Sequence, residues 1–165
     1  MSKKILISLL TIIGLSILIV SCETLQSSAR EITRSYIEEN KPDIKVKSAS
    51  ISEITLKDIT LNVALEVKNN LSFEVPVDKL QVDLVNTSGK VFASGNTVGT
   101  LKIPSKQSKD VSLKFKANYA DVFTTAFDAL KNKSFKCKAN MNITFTVYGM
   151  SFKFPYTKEL NFTEK

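Results

Sequence analysis

From Phe135 to Val147 apolar and polar residues alternate without interruption. Phe135, Cys137, Ala139, Met141, Ile143, Phe145 and Val147 fall in one row, and Lys136, Lys138, Asn140, Asn142, Thr144, Thr146 and Tyr148 in the other. Side chains of an extended chain point to opposite faces with a period of two. The run is therefore a strand with one face in a core and one in water. Two more segments obey the same rule: Ile59, Leu61, Val63, Leu65, Val67, and Val111, Leu113, Phe115, Ala117. A chain with several such rows must bury them against one another, which commits it to a β architecture. Cys137 lies in the core row and reads as a small buried hydrophobe, not a reactive thiol.

Taken in order, the pattern predicts further strands and the turns between them. Val46 to Leu56 is a strand whose alternation slips around Ser52-Glu53, predicting a bulge. Asn69-Asn70 signals a turn. Pro76 cannot donate to a ladder, so it belongs at an edge or a strand start. Leu80, Val82 and Leu84 form a third strand, and Asn86 to Lys90 a tight connection to Val91. Gly95 and Gly99 bracket a loop or bulge, Leu101, Ile103 and Pro104 close that section, and Gly149-Met150 turns the chain into a return strand through Phe152, Phe154, Tyr156, Leu160 and Phe162. Two segments break the rhythm. Arg30 to Asn40 reads as a helix with Ile32, Tyr36 and Ile37 near one face, stopped at Lys41-Pro42 because the residue before a proline avoids the helical region. Tyr119 to Lys131 places Val122, Phe123, Ala126, Phe127 and Leu130 on one helical face, suited to covering an open end of the sheet or to holding a partner. About seven strands and one short helix predict an all-β, antiparallel sandwich of the immunoglobulin or fibronectin III type. The Cys–Trp–Cys core of antibody domains is missing, which favours the fibronectin III form.

Ahead of this domain, Lys3 and Lys4 precede an apolar run from Ile5 to Val20, followed by Ser21 and Cys22. A basic start, an apolar middle and a small residue before a cleavage point form an export signal. The run is shorter than the ~20 residues a spanning helix needs, and it contains Ser8, Thr11 and Ser16. Ile19-Val20-Ser21-Cys22 resembles the lipobox of bacterial lipoproteins. The resemblance implies that the Cys22 thiol takes acyl-bearing lipid (diacylglyceryl and palmitate-type chains) and that Cys22 begins the mature chain. The expected division is a lipoprotein signal peptide at 1–21, a polar tether with a short helix at 22–43 and the β-sandwich at 44–165. The protein is then expected in the bacterial cell envelope, held to a membrane and facing away from the cytoplasm.

Composition removes most other functions. The sequence has no histidine, the usual general base and commonest metal ligand. Phosphate-cradling loops, nucleophile elbows and metal-binding repeats are also missing. Asp58, Asp78, Asp83, Asp110, Asp121 and Asp128 are dispersed along the chain. The expectation is no catalytic residue, no cofactor, no metal and no small-molecule substrate. The formal charge of +7 loses two units if Lys3 and Lys4 leave with the leader, and the lysines alternate with apolar residues instead of clustering. That is a solvated surface. Tyrosines among lysines can stack on nucleic acid bases, but export from the cytoplasm argues against a nucleic-acid partner.

Several blocks resemble one family. Pro42-Asp-Ile-Lys-Val-Lys-Ser-Ala-Ser-Ile-Ser-Glu-Ile resembles the opening of the late-embryogenesis-abundant type 2 proteins, whose core is the water-stress and hypersensitive-response (WHy) domain. Val63-Ala-Leu-Glu-Val-Lys-Asn-Asn-Leu-Ser-Phe-Glu-Val-Pro-Val is similar to that family's strand, Asn-Pro-Asn turn and apolar-Pro pair, with Asn70 where proline is usual. Phe92-Ala-Ser-Gly, Leu101-Lys-Ile-Pro and Tyr119-Ala-Asp-Val-Phe extend the likeness over roughly residues 41–163. The resemblance implies a fibronectin-like sandwich with a short helix, no catalytic residues and a link to desiccation and stress. Two functions follow as expectations. One is a non-enzymatic, lipid-anchored protein protecting the envelope under water or solute stress. The other is a structural or binding module of an envelope protein assembly.

Overall fold

The computed structural model describes residues 26–55, 57–118 and 134–164. The chain divides into two compact units, Met1–Asn40 and Lys41–Lys165. In the first unit residues 26–39 are helical (α1). Arg34 and Glu38 lie one turn apart at 3.6 Å. The helix ends where Asn40 turns both its N–H and its side-chain amide back onto Tyr36 O, at 3.1 and 3.0 Å. It begins earlier than the spacing from Arg30 suggested. Ile37 is buried, but Ile32 is largely exposed, so the two are not equivalent members of one apolar face.

The second unit contains eight strands among the described residues: β1 (Asp43–Ile54), β2 (Asp58–Lys68), β3 (Val75–Val85), β4 (Val91–Asn96), β5 (Leu101–Ile103), β6 (Ser108–Asn118), β7 (Ser134–Val147) and β8 (Met150–Glu164). They form one sheet in the order β4-β3-β7-β8-β1-β2-β6, with β5 on β3. The end strands β4 and β6 come together around the core, so the sheet is barrel-like. The helix expected at Tyr119–Lys131 lies outside the described residues.

The alternating rows decide the core. Leu61, Val63, Leu65 and Val67 of β2, Phe115 of β6, and Ala139, Met141, Ile143 and Phe145 of β7 are all essentially inaccessible. Each large apolar side chain taken from water contributes roughly 1.5–3 kcal/mol. Cross-strand partners Phe135 and Phe162 stack with ring centroids 4.8 Å apart, and Phe145 and Phe152 do so at 5.5 Å. Cys137 is buried in the same row, as its position in the alternation requires.

The turns explain the register. The predicted slip in β1 is a bulge between Ile51 and Glu53, and a second lies between Val46 and Ser48. β7 and β8 pair without a shift from Ser134–Thr163 to Val147–Met150. Their connection is Tyr148-Gly149, one residue earlier than expected, with φ of 50° and 73°. Two consecutive positive φ values give the hairpin turn whose twist matches the strands. In that register Asn142 and Pro155 face each other as a non-hydrogen-bonded pair. Pro155 therefore turns its missing donor away from β7. On that side β8 meets β1 only at Ser50–Thr163 and Ile51–Glu164, so no ladder bond is lost.

Candidate functional site

Of the four buried polar side chains among the described residues, Ser50 and Thr60 lie within β1 and β2, while Asn69 and Asn86 hold loops together. Asn69 is completely buried. Its side-chain amide donates to Phe73 O at 2.7 Å, Ile103 O at 3.0 Å and Pro104 O at 3.1 Å, while its oxygen accepts the Leu71 N–H at 2.9 Å. One side chain thus binds the β2–β3 loop to the β5–β6 loop. Asn86 does a similar task in the β3–β4 turn, accepting from Ser88 N, Ser88 Oγ and Lys90 N at 3.1, 2.7 and 2.9 Å. The sequence marked both asparagines only as turn residues. Two of the carbonyls that Asn69 binds, Ile103 O and Pro104 O, lie far along the chain, which no local signal carries, whereas the Asn86 bonds stay within its own turn.

The titratable groups point the same way. Burial pushes the Cys137 thiol up to about 12, so at neutral pH it is a protonated, inert group. The Tyr156 hydroxyl is also pushed up to about 12, first by burial and then by the charge of Asp43. It donates to Pro42 O, tying β8 to the start of β1. Lys47 is raised by its hydrogen bond to Asp110 at 2.7 Å, and Lys116 by its bond to Asp58 at 2.9 Å. Both pairs lie at the surface, with only Asp58 half-buried, and add little to stability. Among the described residues no three metal-ligating side chains gather. Cys22, the residue singled out for lipid attachment, lies outside the described residues.

One surface feature stands apart. β4 and β6 are the two ends of the sheet order, and they face each other across a seam. Gly95 closes it at one point: a Cβ there would meet Phe115 Cε1 at 2.8 Å, so only glycine allows the strands this close. Beyond that point the seam opens into a groove of about 480 Å³ between residues 95–101 and 110–114. Leu101, Val111 and Leu113 supply its apolar lining, and Asp110 and Lys114 its charges. Gly95 read in the sequence as a loop or bulge marker; in the structure it pairs with Val82 inside β4.

The described domain is thus a barrel-like β sheet in which buried Asn69 and Asn86 close loops. The chain belongs to the late embryogenesis abundant protein family LEA_2, whose family model matches residues 64–159. No curated protein matches it in sequence. Among solved structures it is similar to a solution structure from Arabidopsis thaliana (TM-score 0.60, 13% identity, 74% of this chain and 82% of that one). It is also similar to a crystal structure of a protein from Archaeoglobus fulgidus (TM-score 0.51, 14% identity, 74% and 96%). A crystal structure described as the putative ApaA protein from Bordetella pertussis is a third (TM-score 0.51, 9% identity, 73% and 92%). At these identities the likeness is one of fold.

Proposed function

We propose that this protein is a non-enzymatic WHy-type domain fastened to a membrane of the bacterial cell envelope through acylated Cys22, where it protects the envelope during drying or solute stress. The observation that carries this reading is the succession of Lys3-Lys4, the apolar run to Val20 and Cys22 in front of a LEA_2 domain. A single acyl chain binds a membrane only marginally, at ~0.8 kcal/mol per buried methylene, and a second makes the anchor stable. Lipid on one thiol at the head of the domain supplies that anchor without a spanning helix. The inert Cys137 and the employment of the asparagines in loop closure support a role without turnover.

The finer architecture belongs to the same reading. β1 and β8 share only two residue pairs, and those are parallel. This supports treating β1-β2-β6 and β4-β3-β7-β8 as the two layers of a fibronectin III-like sandwich joined at one corner. The deciding experiment is acyl-lipid mass spectrometry of the mature N-terminus, with Cys22→Ala as control. A lipid adduct on Cys22, lost in the variant together with membrane association, is the expected result. An intact leader and no adduct refute the anchor. Unchanged survival of drying and osmotic challenge after gene removal refutes the protective role.

A further inference from the structure

We propose that the open seam between β4 and β6 accepts an extended peptide segment of another protein as an added strand, one whose residues alternate apolar and acidic. The inference goes beyond the envelope reading and stands without the lipid anchor. Asn69 donates its N–H to Gln107 O at 2.8 Å, in line with the Lys68–Ser108 register of β2 and β6. Residues facing one another in an antiparallel ladder alternate between bonded and non-bonded pairs. The odd-numbered residues of β6 are therefore bonded to β2. The N–H and C=O groups of Asp110, Ser112 and Lys114 point the other way, into the seam, at intervals of ~7 Å. Among the described residues no strand pairs with that edge.

The groove also states the chemistry of its occupant. It is bounded on both sides, by residues 95–101 and by 110–114. An edge strand of a second folded copy, still attached to its own sheet, cannot enter between two walls; a free extended segment can. Strand addition uses main-chain bonds for affinity and alternate side-chain pockets for selection. Inward side chains would meet Leu101, Val111 and Leu113, so every second residue is apolar. Outward side chains would lie beside Ser112 and Lys114. Asp110, the one acidic residue in the lining, already engages Lys47, whereas Lys114 has no ion-pair partner among the described residues. Charge complementarity then favours carboxylates at the outward positions.

The test uses the full chain with a synthetic peptide alternating valine and glutamate, and a valine–lysine peptide as control. Binding is read by fluorescence anisotropy, and its place by amide hydrogen exchange. The valine–glutamate peptide should bind saturably and slow exchange at residues 110–114. Lys114→Glu should weaken it by about tenfold or more, equivalent to ~1.4 kcal/mol. Ser112→Pro should abolish binding yet leave the thermal midpoint near that of the parent, because this N–H faces the seam and not β2. If the proline variant does not fold, Lys114→Glu, altered only at an exposed lysine, still decides. The proposal is overturned by absence of saturable binding, by equal binding of the lysine peptide, or by affinity unchanged in Lys114→Glu. Protection of the same amides that grows with protein concentration alone would assign the edge to a second copy and equally overturn it.

Discussion

Asn69→Ala should be among the most damaging single substitutions in the domain. The side chain is wholly inaccessible, and its amide hydrogens are shared among Phe73 O, Ile103 O and Pro104 O, while its oxygen takes the Leu71 N–H. Each hydrogen bond is worth about 0.5–1.5 kcal/mol net, and a buried donor left without an acceptor costs about 1–3 kcal/mol. Loss of the donated bonds plus an orphaned Leu71 N–H gives about 3–5 kcal/mol. A domain of this kind holds roughly 5–15 kcal/mol in all. With Tm moving about 4 °C per kcal/mol at this size, the midpoint should fall by roughly 12–20 °C. Asn69→Asp separates the acceptor role from the donor role. It keeps the acceptor for Leu71 but directs a carboxylate oxygen at three carbonyls, so at neutral pH it should be less stable than the alanine variant. Burial and those carbonyls raise the carboxyl's folded-state pKa above its unfolded value. Its protonated form restores a donor, so the aspartate variant gains stability as pH falls and loses it as pH rises. Urea unfolding followed by circular dichroism at neutral and mildly acid pH measures all three proteins. A loss below about 1 kcal/mol in Asn69→Ala, or an aspartate variant as stable as the parent at neutral pH, would show that these bonds do not hold the loops.

Other outcomes follow from contacts elsewhere. Gly95→Ala should cost about 1–3 kcal/mol, because the buried Phe115 ring 2.8 Å from the new Cβ has nowhere to swing; a double-mutant cycle with Phe115→Leu should recover part of the loss, and additive losses would show the contact is not responsible. Cys137, with its thiol pushed up to about 12, should resist iodoacetamide at mildly alkaline pH in the native protein and react only after unfolding, as mass spectrometry can show. Tyr156→Phe should lose about 1 kcal/mol with its bond to Pro42 O. Because the folded hydroxyl ionises near 12 and an unfolded one near 10, the parent loses stability as pH climbs through that interval, and the phenylalanine variant should lack that part of the loss.

Much of the fold was legible because a strand with one wet face must alternate. Ile59 to Val67, Val111 to Ala117 and Phe135 to Phe145 each read directly as a core row, Cys137 included. The slip at Ser52-Glu53 appeared as a bulge because an extra residue interrupts that alternation locally. Local signals were weaker where two solutions differ by one residue, so the β7–β8 turn fell at Tyr148-Gly149 and not Gly149-Met150. Leu101–Ile103 is too short for any periodicity, and its strand character comes from pairing with Val75–Val77.

The residue pattern alone establishes the set of faces: which side chains leave water and where the chain must turn. The family likeness belongs there too, since its blocks are local. The order of strands, the burial of Asn69 and the meeting of β4 with β6 over Gly95 emerge when distant parts of the chain pack together. Periodicity is a property of neighbours in the chain and is set by backbone geometry. The partners of Asn69 lie up to thirty-five residues away, and the seam exists because two strands with no pairing to each other end the same curved sheet. Such contacts arise when the whole core packs, and no short stretch of residues contains them.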